Sequence, residues 1–226
     1  MKRTLVIGDI HGCHQTFLSL LNKIHLNPES DTVILLGDYI DRGPESKQVI
    51  EEIINLQNRV KRVIPLMGNH EQAFLNYLQG NNREFYLMIG GAATLLSYGF
   101  TGDLLADNYR KIPKKHLEFF NNLLLYWEDA ENIYVHAGLQ PGVHLSQQPT
   151  EWLLWSRNEF ITSGYDFGKR VIFGHTAFRE PVIEPHQIGI DTGAIYGGSL
   201  TCLILPDLEF VSVPGPKRLP HLPQET

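Results

Sequence analysis

The chain has 226 residues, 42% of them hydrophobic, and a formal net charge of −6 at pH 7. That length suits one sizeable domain, the apolar content excludes global disorder, and the acidic balance argues against a nucleic-acid binder, which presents a basic face. Two cysteines, Cys13 and Cys202, make no disulfide framework, no apolar run reaches the roughly 18 residues of a membrane span, and Gly8 and Asp9 come too early for a signal peptide, so a soluble cytoplasmic protein with no membrane partner is expected.

The first element is TLVIG at 4–8, a short β-branched run. CHQTFLSLLNKI then sets Phe17, Leu20, Leu21 and Ile24 on one helical face. TVILLG at 32–37 reads as a second strand. PESKQVIEEIINLQ predicts a helix with Pro44 in its first turn and Val49, Ile50, Ile53, Ile54 and Leu56 turned inward. RVIPLMG at 62–68 is a third strand. This alternation is the grammar of βαβ units and a largely parallel sheet. Residues 71–126 read as helical, including EFYLMIGGAATLLSYG. NIYVHAG at 132–138 and RVIFGH at 170–175 are further strands. HQIGIDTG, SLTCLILP and LEFVSVP are predicted as consecutive antiparallel strands, turning near Gly197–Gly198 and Pro206–Asp207. The last stretch, 214–226, carries four prolines and is expected to be a flexible tail on a single domain spanning 1–213.

Five of these runs end in one kind of loop, with Gly beside Asp, His or Asn: GDIHG, GDYIDRG, GNHE, HAG and GH. Ligands of open α/β sheets bind beyond the carboxyl ends of the strands, so these loops are expected to converge. They would bring together Asp9, His11, Asp38, Asn69, His136 and His175, a donor set of oxygen and nitrogen without sulfur. Such donors suit Mn²⁺, Fe or Zn²⁺. They are too many for one tetrahedral ion and suit two ions about 3.5–4 Å apart that share a carboxylate. Taken singly, each has a plainer reading: a loop aspartate, a satisfied core histidine, a polar turn. Jointly the plain readings weaken, because four of the ten histidines (His11, His70, His136, His175) sit at the same strand-end position. Arg42 follows in the second loop, and a guanidinium fork grips two phosphate oxygens. Arg157, in LLWSRNEF, reads from spacing alone as a surface arginine.

In this order the motifs GDIHG, GDYIDRGP, GNHE, HAG and GHT resemble the phosphoprotein phosphatase family of metallophosphoesterases, above all its small bacterial and bacteriophage branch. The resemblance runs from about residue 3 to 213. It implies an α/β (α+β) fold of the calcineurin-like metallophosphoesterase kind, a β-sandwich of two mixed sheets flanked by helices. It also implies two divalent ions, Mn²⁺ first and Fe or Zn²⁺ as alternatives. Asp9 and His11 would hold one, Asn69, His136 and His175 the other, and Asp38 would bridge. Arg157, following Trp155, would join Arg42 on the phosphate.

Ala177 stands where many phosphodiesterases of this class carry a second histidine, which favours phosphatases. Symmetrical diadenosine tetraphosphate hydrolases read Ala-Arg-Gly-Pro and Asn-His-Asp at the second and third motifs. Asp41 and Glu71 depart from both patterns. The resemblance therefore implies hydrolysis of phosphoserine and phosphothreonine, and of phosphotyrosine too, with the symmetrical hydrolase as the alternative. A non-catalytic binding protein on the same fold is a third reading, disfavoured because every ligand and both arginines are present. The expected mechanism is direct attack by a metal-bridging hydroxide. His70 would protonate the leaving group, with Asp41 as the carboxylate that favours its charged form. Substrates would be phosphoproteins or small phosphorylated molecules. GGAA at 90–93 lacks a Walker lysine and reads as close helix packing, and Glu71 as a helix-start carboxylate.

Overall fold

The computed structural model describes residues 2–102, 104 and 111–217. Strands β1 (Thr4–Ile7), β2 (Thr32–Leu35) and β3 (Arg62–Pro65) pair in parallel, with α1 (His14–Lys23) and α2 (Ser46–Arg59) as the connecting helices. Alternation along these strands builds two layers of core. Leu5, Ile7, Val33 and Leu35 face the helices, while Val6, Ile34 and Leu36 face the other way. Strands β4 (Tyr126–Glu128), β5 (Asn132–Val135), β6 (Arg170–Phe173), β7 (Val182–Glu184) and β8 (Gln187–Gly189) form a second sheet, ordered β4-β5-β6-β8-β7. Its Tyr134, Ile172 and Ile188 meet Val6 and Ile34 in one inter-sheet cluster, while Ile133, Val135, Val171 and Phe173 pack outward on α7 (Thr150–Trp155) and α8 (Asn158–Ile161). Two mixed sheets face to face with helices outside them match the expected sandwich.

Strand β9 (Ser199–Leu205) runs antiparallel to β1, and β10 (Glu209–Pro214) pairs with β9, so the first sheet is ordered β10-β9-β1-β2-β3. The late strands are therefore not one antiparallel series. β8 lies in the other sheet, parallel to β6 and antiparallel to the unforeseen β7, and the chain crosses between sheets before β9. Local alternation gives strand existence and not partner choice, which long-range packing decides. Pro44 precedes the helix, which starts at Ser46. Pro214 pairs with Ser199 as the last residue of β10, so the expected tail begins in the sheet, and its residues 218–226 lie outside the described part.

The stretch after β3, expected to be helical over 71–126, is helical in part and broken; residues 103 and 105–110 lie outside the described part, and Tyr126 opens β4. α3 (Asn69–Leu78) is followed by α4 (Arg83–Tyr86), a π-helical turn at Leu87–Gly91, α5 (Ala92–Ser97) and α6 (Lys114–Asn121). The break falls at Gly90, whose φ of 110° no side-chain-bearing residue adopts easily. No helix among the described residues is long and apolar enough to cross a membrane.

Candidate active site

The ends of β1, β2, β3, β5 and β6 meet at one edge of the sandwich, and backbone hydrogen bonds tie their loops together. His11 N–H donates to the Asp38 carbonyl (2.8 Å), Gly174 N–H to the His136 carbonyl (2.8 Å) and His175 N–H to Asp9 Oδ2 (3.0 Å). Asp38 is the hub. Its Oδ2 lies 3.4 Å from His11 Nε2 and 3.9 Å from His70 Nε2, and its Oδ1 lies 3.4 Å from His136 Nε2. Two groups of ligand-type atoms result, His11–Asp38–His70 and Asp38–His136–His175, each within 4.8 Å. Asp38 belongs to both, as a bridging carboxylate must.

The donor chemistry fits two cations. One carboxamide atom of Asn69 lies 2.9 Å from His136 Nε2, 3.0 Å from His175 Nδ1 and 3.3 Å from both Asp38 oxygens. His11 and His136 each place Nδ1 2.9 Å from a backbone carbonyl, of Ile40 and Leu36 respectively. Those carbonyls accept the Nδ1 proton, which leaves each Nε2 lone pair turned to Asp38, the orientation that metal-ligating histidines take from such partners. Two buried polar atoms, Asp9 Oδ1 and His175 Nε2, have no hydrogen-bond partner among the described residues. Burial holds His11, His136 and His175 below the usual histidine range, Arg42 adding to the effect at His11, so all three favour the neutral, ligating form. Burial also pushes the Asp9 carboxyl well up, with Asp191 and Asp38 adding to it, the kind of strain that a bound cation reverses. At Asp38 burial pushes upward too, and the surrounding imidazoles, whenever one carries a proton, pull the carboxyl the other way, below its usual range.

His70 stands apart from the other imidazoles in its partner. Its Nδ1 contacts Asp41 Oδ2 at 2.7 Å, with both side chains buried. The other Asp41 oxygen accepts hydrogen bonds from Tyr86 Oη (2.7 Å) and Thr94 Oγ1 (2.6 Å). Asp41 N–H in turn donates to Thr94 Oγ1 (2.8 Å) and Ser46 Oγ (3.1 Å). Asp41 and Arg42 are consecutive left-handed residues, φ 70° and 67°, a conformation that costs about 1–2 kcal/mol per non-glycine residue. The broken helical stretch holds them there, because Arg42 N–H donates to the Gly90 carbonyl (3.1 Å). GGAA is thus close packing, as expected, but against the loop that carries Asp41 and Arg42. A Cβ on Gly90 would sit 2.8 Å from Arg42 Cγ.

Glu71 also has a place. Fully buried, its carboxylate accepts four backbone N–H groups: Asp38 (2.8 Å) and Gly68 (3.0 Å) on Oε2, Tyr39 (2.9 Å) and Ile40 (3.3 Å) on Oε1. The Gly68 contact is the glutamate half of a capping box at the start of α3, the Glu71 side chain reaching back to the N-cap N–H. The Asp38, Tyr39 and Ile40 contacts clamp the second metal loop onto the third. Gly68 must be glycine, since a Cβ would stand 2.2 Å from Asp38 Oδ1.

The two arginines differ in their placement. Arg42 Nη1 is 2.6 Å from His11 Nε2, and the guanidinium lies 5.4 Å from the Tyr196 ring centroid. Arg157, more exposed, reaches Thr176 Oγ1 at 3.5 Å on the His175 side. Sequence reasoning missed Tyr86, Thr94, Ser46 and the buried Asp191. The first three lie in no motif, and the hydroxyls of Tyr86 and Thr94 reach Asp41 only through tertiary packing. Asp191 in IDTG carries the signal of a strand-end acidic residue, like Asp9.

A sandwich with an oxygen-and-nitrogen two-cation centre at its edge, flanked by guanidinium groups, defines a metallophosphoesterase. The calcineurin-like phosphoesterase family model matches residues 2–179, and the chain belongs to that family. A Bacillus cereus protein named bis(5′-nucleosyl)-tetraphosphatase PrpE (asymmetrical) is 30% identical over 97% of this chain and 96% of its own length. Among solved structures, one described as a candidate diadenosine tetraphosphatase superposes with a TM-score of 0.70 at 23% identity, covering 95% of this chain and 94% of that one. A serine/threonine phosphatase from Saccharomyces cerevisiae superposes at 0.60 and 16% identity, covering 97% and 81%. At those identities the structures speak for the fold alone.

The expectation of a serine/threonine phosphoprotein phosphatase is overturned by the near full-length relatives, which are named for a dinucleotide substrate. The physical reason is plain. Metal ligands, phosphate arginines and an acid serve any hydrolysis at phosphorus, so the motifs report the centre and not the group that leaves. Asp41 and Glu71 argued against the symmetrical hydrolases, and that argument does not extend to an asymmetrical one.

Proposed function

We propose that this chain hydrolyses bis(5′-nucleosyl) tetraphosphates asymmetrically, to a nucleoside triphosphate and a nucleoside monophosphate. The observation that carries the reading is the match to relatives named for that activity along nearly the whole chain. Motif order supports placing it in the phosphoprotein phosphatase branch, with a dinucleotide in place of a protein. Asp9, His11, Asp38, Asn69, His136 and His175 would hold two divalent ions, Mn²⁺ before Fe or Zn²⁺ by donor type. Those ions supply Lewis-acid polarisation of the phosphoryl oxygens and activation of water.

The rest falls to the protein. Arg42 and Arg157 grip and orient the phosphate chain from opposite sides of the centre. The low accessibility of Asp38, His70 and His136 keeps bulk water from competing for those charges. Asp41 fixes the His70 ring through Nδ1, so that Nε2 faces the reacting side, where it would donate a proton. As water adds to phosphorus and the P–O anhydride bond breaks, the departing phosphate oxygen takes that proton. A phosphate leaving group needs it less than a serine alkoxide does.

Chromatography of the products from diadenosine tetraphosphate tests the reading. Equal ATP and AMP are expected, at a rate well above that on a phosphoserine peptide. Two ADP per substrate, or a preference for the peptide, would defeat it.

A further inference from the structure

The rim of the centre carries aromatic surface that this chemistry leaves unused. Phe85, in α4, is 37% exposed, and its ring centroid lies 5.9 Å from that of Trp155 at 50°. Trp155 ends α7, where its indole N–H donates to Gln72 Oε1 (3.0 Å) and its ring stands edge-on to His175 at 6.3 Å. Met88 follows Phe85 by three residues and is 75% exposed. Two residues further on, Gly90 backs onto Arg42. One short segment, 85–90, thus reaches from the Trp155–His175 side of the site to the Arg42 side. Large apolar side chains open to solvent beside phosphate-gripping arginines suit a ligand that is flat and apolar at one end and anionic at the other.

We propose that Phe85, Met88 and Trp155 form a stacking subsite for a nucleobase of the substrate, continuous with the phosphate site at Arg42 and Arg157. The proposal rests on the dinucleotide reading and adds a location for the base. Every base has a π-face, so stacking on an aromatic ring tolerates any base, and the Met88 thioether is a polarizable neighbour for it. The hydrogen bond from Trp155 to Gln72 holds the indole still, which lowers the ordering cost of stacking.

Calorimetric titration with ATP and with inorganic triphosphate, on the metal-loaded protein, provides the test. The wild type should bind ATP about 10-fold more tightly than triphosphate, the size of one base stack. Phe85→Ala should remove most of that difference, and Phe85→Leu, which keeps apolar bulk without the ring, should do the same. The ratio of kcat/KM for diadenosine tetraphosphate to that for inorganic tetraphosphate should fall in parallel. Leu96→Ala, at an exposed position on α5, should leave the ratio unchanged. Equal weakening of ATP and triphosphate in both Phe85 variants would mean a structural role and overturn the subsite. So would an unchanged ratio in an enzyme that does cleave the dinucleotide. If the wild type fails to cleave the dinucleotide yet loses its ATP preference in Phe85→Ala, the subsite stands and the proposed function falls.

Discussion

The strand-end loops and the broken helical stretch, α3 to α5, contribute to the same site in different ways. The loops carry the groups proposed to hold metal and phosphate, and nearly all of them stand in short motifs. The helices carry Tyr86, Gly90 and Thr94, which act on Asp41 and Arg42 from behind, and Phe85, which faces outward. Chemistry at phosphorus demands particular donors at particular spacings, so it writes itself into sequence. Support for those donors can come from any hydroxyl or carbonyl that packing delivers, so it does not.

Substitutions can break or sharpen this contrast. Asp38→Asn should have the largest effect, since the hub of both ligand groups loses its charge. Metal analysis should show the bound ions lost, and activity should fall to that of the chelator-stripped protein. His70→Asn comes next. With an alkyl phosphomonoester the loss should be about 10²–10⁴-fold, measured as kcat, while metal content stays at the wild-type level. With diadenosine tetraphosphate the loss should be smaller, because the leaving phosphate oxygen is less basic. A variant that shed its metal would make His70 a ligand, a role that its place beside His11 and Asp38 also permits.

Glu71→Gln keeps the shape and removes the charge that four N–H groups converge on. Metal affinity by titration calorimetry should drop about 10–100-fold, the range for residues that orient ligands. Thr94→Val should cost about 10-fold in rate by removing one of the two hydroxyls on Asp41 Oδ1, with Thr94→Ser restoring most of it. If Thr94→Val left the rate unchanged, the helical stretch would be packing alone. Gly90→Ala should have the smallest effect on rate and register as stability, about 1–3 kcal/mol in denaturant unfolding, from its left-handed φ and the contact with Arg42 Cγ.

Much of the fold was legible because alternating β-branched runs mark strands wherever they lie. Which sheet each strand joined was less legible. IGI at 188–190 reads the same whether it pairs with β6 or with β9, and only the crossover decides. At the site, His11, Asp38, Asn69, His136 and His175 lie together, with Asp9 hydrogen-bonded to the backbone of His175 and His70 beside His11, yet the role of Glu71 needed coordinates. Its partners are backbone N–H groups of residues 38–40 and 68, which have no letter in a sequence. The substrate was the least legible part. GNHE and GDYIDRG describe what happens at phosphorus and are silent on what lies beyond it.

The centre also straddles the sandwich. Asp9, His11, Asp38 and Asn69 follow strands of the first sheet, while His136 and His175 follow strands of the second. Ions held by both sets would act as rivets between the layers. Whatever binds the native state and not the unfolded chain stabilises it, by about 2.7 kcal/mol when the free ligand is at 100 times its dissociation constant. The melting temperature of this protein should therefore climb with free metal concentration, and a cell short of the ion would lose the folded protein along with its activity.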